Sequence, residues 1–225
     1  MRELPTGTVT FVFSDIEGST RLEHLLGGGY VAVLERQQRL VRDAVAAHDG
    51  DEVSTEGDAF FLVFRDPAAA LTACVAVQRA LAAEPWPEGA AVRIRIGAHT
   101  GQGVRGADNY VGLDVNRAAR IAAAAHGGQV LVSGSTSTLV EGRLPEGVSL
   151  VDLGEHRLKD LAEPLHLSQV SISGLPADFP PLRTLTAASH LPTQLSSFVG
   201  RETEVAAIRA LLEANRLVTL TGAGG

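Results

Sequence analysis

A β-branched and aromatic run, Thr8–Ser14 (TVTFVFS), passes through Asp15-Ile16-Glu17-Gly18-Ser19-Thr20 into a long helical pattern. This strand, tight turn and helix constrain the fold more than any other stretch of the chain. Leu22, Leu26, Tyr30, Val33, Leu34, Val41 and Val45 give the helix its apolar positions, and Thr20 with Glu23 forms a capping box. Gly27–Gly29 weakens its first part by about 1 kcal/mol per glycine. Two β-like runs follow, Asp51–Thr55 and Ala59–Phe64, separated only by Glu56-Gly57-Asp58. That is hairpin spacing, with Asp58 at the turn or just past it. Pro67 opens a second helix running to about Ala83, at a first-turn position where its missing N–H costs nothing, and Pro85 and Pro87 end it.

Val92–Thr100 alternates apolar residues with Arg93, Arg95 and Gly97, the pattern of a half-buried strand. A third helix is expected at about Val115–Ala125, stopped by Gly127-Gly128, then a strand at Gln129–Ser133. A short helix near Ser135–Val140 and strands near Val148–Leu153 and Leu165–Ile172 complete the domain. The order β, α, β, β, α, β, α, β predicts an α+β fold with the split βαβ arrangement of ferredoxin-like sheets.

Residues 173–198 change character. Four of the ten prolines fall here, between Ser and Thr residues and without a sustained period, which reads as a linker. A helix to about Asn215 and a strand at Leu217–Leu220 follow, and the chain closes on Thr221-Gly222-Ala223-Gly224-Gly225. A strand entering a glycine-rich turn is how a phosphate-cradling loop starts. Residues 199–225 are therefore expected to be the N-terminal part of a P-loop ATPase domain, without the lysine and Ser/Thr needed to bind nucleotide alone.

Composition excludes several classes. The 225 residues suit about one and a half domains, and 45% apolar residues suffice for an ordinary core. Nineteen basic against 26 acidic residues leave a net charge of -7, so direct nucleic-acid binding is not expected. The single cysteine, Cys74, fits a reducing compartment, the cytoplasm by default. No apolar run approaches the roughly 18 residues of a membrane span, and Pro5 interrupts the start where a signal peptide needs its apolar segment.

Two constellations bear on chemistry. Asp15 ends a strand and Asp58 lies at a hairpin, so in a split βαβ sheet both carboxylates can meet at one end and hold Mg²⁺, which takes few protein oxygens. On residue type and spacing alone they also fit a helix cap and a turn residue. Asn116 and Arg120, four apart, share a helix face, where an amide and a guanidinium suit phosphoryl transfer but equally a solvated surface. Arg117 lies on a different face and reads as solvated. Lys159 could reach a polyphosphate or simply face water, and His99 reads as structural.

Taken in order, FVFSDIEGST, STEGDAFFLVF, RIGAHTGQG, YVGLDVNRAAR, GGQVLVS and RLKDLAEPLHLSQV resemble the class III nucleotidyl cyclases, particularly bacterial members that precede an ATPase-type region. The resemblance covers residues 6 to about 172. It implies a metal-binding set of Asp15, Asp58 and the backbone carbonyl of Ile16, holding two divalent cations, Mg²⁺ or Mn²⁺. It implies transition-state roles for Asn116 and Arg120 and phosphate binding by Lys159. It also implies a head-to-tail homodimer whose sites take the aspartates from one chain and the asparagine and arginine from the other.

One departure concerns base recognition. Members selective for ATP usually carry a lysine at the position of Ser54 and an aspartate at that of Asn109, and neither residue here is charged. Base reading is expected to be weaker or different, with Asp108 a substitute if the loop shifts by one residue. The implied reaction converts a nucleoside triphosphate, ATP ahead of GTP, into a 3′,5′-cyclic nucleotide and pyrophosphate. The rival expectation is a domain without turnover that senses nucleotide or dimerises to control a downstream ATPase region.

Overall fold

The computed structural model describes residues 4–106, 109–184, 202–215 and 218–219. Residues 1–188 and 189–225 form two separate units. In the first, β1 (Gly7–Ile16) leads through Gly18 into α1 (Ser19–Leu26), a 3₁₀ turn at Gly27–Gly29 and α2 (Tyr30–Ala47). The expected single helix is thus broken where three glycines follow one another, each lacking the side chain that would favour a helix. The capping box is not used: the cap is Gly18, at φ 72°, and no side chain bonds the first turn.

The hairpin of β2 (Asp51–Glu56) and β3 (Ala59–Phe64) and helix α3 (Pro67–Ala83) fall where expected. Asp66 caps α3 by accepting the Ala68 N–H. The remaining elements are β4 (Ile94–Arg105), β5 (Tyr110–Val111), α4 (Leu113–Ala124), β6 (Val130–Ser133), α5 (Gly134–Val140), β7 (Val148–His156) and β8 (Leu165–Ile172).

The sheet order is β2-β3-β1-β4-β6-β8-β7, with β5 paired to β4. Its first four strands make the antiparallel split βαβ arrangement, and β6 runs parallel to β4. Val12, Ile16, Leu62 and Phe64 pack with residues of α2 and α3 in the main core, while Val9, Phe11, Phe61, Tyr110 and Ala118 form a cluster on the opposite face. The polar face expected on β4 is consequently not solvated at Gly97 and His99. Helix α4 lies so close that a Cβ on Gly97 would stand 2.1 Å from the Ala122 nitrogen.

The Pro-rich segment is also not free from residue 173 onward. Ser173 and Leu175 are hydrogen-bonded at the end of β8, Leu182 is buried, and the Arg183 N–H donates to Ala124. Its apolar residues find a seam between β8 and α4 that composition could not reveal. Residues 185–198 lie outside the described residues. In the second unit α6 (Glu202–Ala214) matches the expected helix. Val218 and Thr219 carry no strand pairing, and Leu217, Leu220 and the glycine-rich end lie outside the described residues. No helix among the described residues is long and apolar enough to cross a membrane.

Candidate active site

Antiparallel pairing of β1 with β3 and β4 brings the two predicted carboxylates to one end of the sheet. Asp58, the second residue of the β2–β3 turn, accepts the Ile16 N–H at 2.7 Å through Oδ2. Its backbone carbonyl is approached by the fully buried Gln37 side chain at 3.5 Å. The Ile16 side chain is buried in the core, so its peptide is held in place while Asp15 projects to the other face. The β1–β4 register sets Asp15 opposite Arg95. Both oxygens of Asp15 are engaged by that guanidinium, Nε–Oδ1 at 2.5 Å and Nη2–Oδ2 at 2.9 Å. The bond to Asp15 strengthens the hold of Arg95 on its proton against the opposing effect of burial.

Asp15, Asp58 and the Ile16 carbonyl, the set expected from the sequence, would offer hard oxygen donors. That chemistry suits Mg²⁺ or Mn²⁺, whose remaining positions go to phosphate and water. Among the described residues no cluster of three or more His, Cys, Asp or Glu side chains is arranged to hold a metal by itself. A cation at Asp15 would compete with Arg95 for the same lone pairs. Arg95 was not singled out from the sequence, although its place on the polar face of β4 was legible; only the register shows what it meets.

The second predicted set lies on α4 and on the turn that follows β7. Asn116 is exposed on the first turns of the helix, and Arg120, one turn on, pairs with Asp160 at 2.5 Å. Asp160 sits in a turn at φ 61°, a left-handed conformation that aspartate tolerates, beside exposed Lys159 and after fully buried Leu158. The structure thus brings Arg120 to the Lys159 turn over 40 positions of sequence. Among the described residues no hydrogen bond or ion pair directly joins the side chains of Asp15 or Asp58 to those of Asn116, Arg120 or Lys159.

Helix α4 is hooked to the sheet at its start. Asp114 accepts the Gln102 N–H at 2.7 Å and meets His99 Nε2 at 3.1 Å, and Gly101 leaves the room its carboxylate needs. The other His99 nitrogen lies 2.8 Å from the Ser133 hydroxyl. The expectation that His99 is structural fits this buried position. Arg117 differs from expectation: it is not merely solvated but pairs with Asp114 at 2.6 Å, because residues three apart on a helix are neighbours. Burial pushes the His99 pKa below 6.5, the bond to Asp114 opposes this and Arg117 adds to it, while Asp114 is held below the usual carboxylate range: its burial is outweighed by the Gln102 N–H, His99 and Arg117.

Ser54 lies at an irregularity in the β2–β3 pairing, opposite Phe61. Asn109 is exposed in the β4–β5 turn, where its Oδ1 accepts the Tyr110 N–H at 2.7 Å. Asp108, the substitute considered for Asn109, lies outside the described residues.

The split βαβ sheet thus carries Asp15 and Asp58 toward one end, while α4 carries Asn116 and Arg120. Residues 1–170 match the model of the adenylate and guanylate cyclase catalytic domain, and the chain belongs to this family. Among its relatives is an uncharacterized protein of Mycobacterium tuberculosis, 37% identical over 205 residues that cover 89% of this chain and 70% of that protein. The adenylate cyclase of Lachancea kluyveri is 35% identical over 154 residues, covering 57% of this chain but 8% of that much longer protein. Adenylate cyclase from Trypanosoma brucei, solved in its monomeric state, shares the fold with a TM-score of 0.69 at 24% identity, over 81% of this chain and 97% of that one. An adenylate/guanylate cyclase/hydrolase from Silicibacter pomeroyi gives a TM-score of 0.64 at 25% identity, over 78% of this chain and all of that one.

Proposed function

We propose that the protein is a nucleotidyl cyclase acting on a nucleoside triphosphate, ATP ahead of GTP, at the interface of a homodimer. The observation that carries this reading is the convergence of Asp58 on the Ile16 peptide beside Asp15, in a chain of the cyclase family. In the reaction the ribose 3′-oxygen bonds to the α-phosphorus, the bond to the departing pyrophosphate breaks, and the hydroxyl proton passes to solvent. Asp15, Asp58 and the Ile16 carbonyl would hold two divalent ions, which when bound would acidify that hydroxyl and neutralise charge on the triphosphate. Asn116 orients the ribose, Arg120 meets the charge developing on the α-phosphate, and Lys159 binds the polyphosphate. Ser54 and Asn109 face the base. Arg95 holds both oxygens of Asp15, so a cation binding there competes with that guanidinium.

Two observations support a shared site. Among the described residues, the carboxylate set and the Asn116–Arg120–Lys159 set are not bonded to each other within one chain. Exposed apolar residues Val104, Val111 and Leu113 surround the β4–β5 hairpin and the start of α4, beside Asn116. A two-fold contact there makes two equivalent sites. The test is complementation: Asp15→Ala and Arg120→Ala proteins are each assayed alone with Mn²⁺ and ATP or GTP, then mixed. Each alone is expected to be nearly inactive, and random exchange restores about a quarter of the sites. If subunits exchange and activity does not return, the shared-site arrangement is wrong. A wild-type protein that forms no cyclic product from any triphosphate refutes the cyclase reading and leaves the rival, a domain without turnover, which the uncharged Ser54 and Asn109 favour.

A further inference from the structure

We propose that Leu182 and Arg183, beyond the last strand, are positioning residues that tie the carboxylate end of β1 to α4 and the Lys159 turn. This rests on the cyclase reading and extends it to a segment with no sheet or helix of its own. The Arg183 N–H donates to the carbonyl of Ala124, the last residue of α4, at 3.1 Å. Its guanidinium pairs with Glu17, the residue after Ile16. Leu182 is 7% exposed and packs in one apolar cluster with Ile121, Ala124 and Leu158. Ile121 follows Arg120 and Leu158 precedes Lys159, so one dipeptide braces the neighbours of both predicted sets.

Glu17 is suited to this role. Its N–H donates to the Arg93 carbonyl at 2.9 Å, and His126 stands 3.9 Å from its carboxylate. These contacts fix the Glu17 carboxylate at the β1 end. The segment just before Leu182 is held more sparsely, by Gln169 to the Ala177 carbonyl at 2.7 Å and His126 to the Pro181 carbonyl at 3.0 Å. It spans a cavity of about 550 Å³ lined by Trp86, Val92 and Phe179. The tight contacts are thus concentrated at Leu182 and Arg183. A second link between the carboxylate end of β1 and α4 is Arg95, whose Nη1 reaches the Ala123 carbonyl at 3.4 Å while the same guanidinium engages Asp15. In a dimer with shared sites, the sets tied together in one chain belong to two different sites, so this strap couples their geometry.

The partly exposed Arg183–Glu17 pair adds little to stability, which separates positioning from folding. Arg183→Ala and Arg183→Lys are compared with wild type in the full chain. The measurements are kcat and KM for ATP with Mn²⁺, the melting temperature, and amide hydrogen exchange at Ile16 and at Lys159–Leu161. Arg183→Ala is expected to lose kcat by about tenfold to a hundredfold with KM changed less than about twofold. Melting shifts by about 3 °C or less, exchange at Ile16 speeds up, and Arg183→Lys recovers most of kcat. Leu182→Met, which keeps the apolar volume, is expected to stay near wild type where Leu182→Ala falls. Wild-type kcat and Ile16 exchange in Arg183→Ala overturn the proposal. If wild type itself makes no cyclic nucleotide, the cyclase reading fails and exchange alone decides: faster Ile16 exchange at unchanged melting upholds the strap, and unchanged exchange refutes it.

Discussion

Gly97→Ala isolates the contact that places α4 on the sheet. The added Cβ would stand 2.1 Å from the Ala122 nitrogen, 2.6 Å from its Cα and 2.7 Å from the Ile121 carbonyl carbon, all backbone atoms that cannot rotate away. Restoring ordinary contact at about 3.4 Å requires the helix and sheet to separate by more than about 1 Å. Overpacking of this kind costs about 1–3 kcal/mol, a loss of roughly 3–9 °C in melting temperature for a domain of this size. Because α4 carries Asn116 and Arg120, the same displacement should lower kcat about a hundredfold. Gly28→Ala is the control: nothing lies within 4 Å of its Cβ position and its φ is not positive, so melting should hold or rise slightly. Calorimetry and steady-state kinetics on both proteins decide the matter. A Gly97→Ala protein melting within about 1 °C of wild type with unchanged kcat would refute the argument that this close approach positions the helix.

Ser54→Lys combined with Asn109→Asp supplies complementary charges at the two positions proposed to face the base, and the ratio of kcat/KM for ATP to that for GTP should rise; an unaltered ratio shows that these positions do not touch the base. His99 predicts a pH effect: burial lowers its folded pKa, so below about pH 6.5 the unfolded chain takes up the proton first and stability falls as the medium is acidified toward the folded value. Denaturant titrations of wild type and His99→Gln between pH 8 and 5 should show a smaller acid loss in the variant, from a lower starting stability because the bonds to Asp114 and Ser133 are disturbed. Equal slopes in the two proteins would remove His99 as the cause.

Local pattern was enough for most of the elements. Pro67, the two-residue turn between β2 and β3, the β-branched and aromatic run of β1 and the alternation along β4 each act within a few residues, where turn chemistry and side-chain period operate. The order of those elements also predicts the four-strand split βαβ core. Asp15, Asp58, Asn116, Arg120 and Lys159 were legible as candidates because their residue types and their ordered motifs are properties of the chain itself. What they touch was not. Asp15 meets Arg95 across 80 positions and Arg120 meets Asp160 across 40, and each pair depends on a register or a helix placement that no short window contains. The same holds for Gly97, whose polar-face position suggested solvent until α4 covered it, and for Leu182 and Arg183, which read as linker by composition. The burial of Leu182 follows from an apolar seam left open between α4 and β8, a surface that exists only after the sheet and helix have packed.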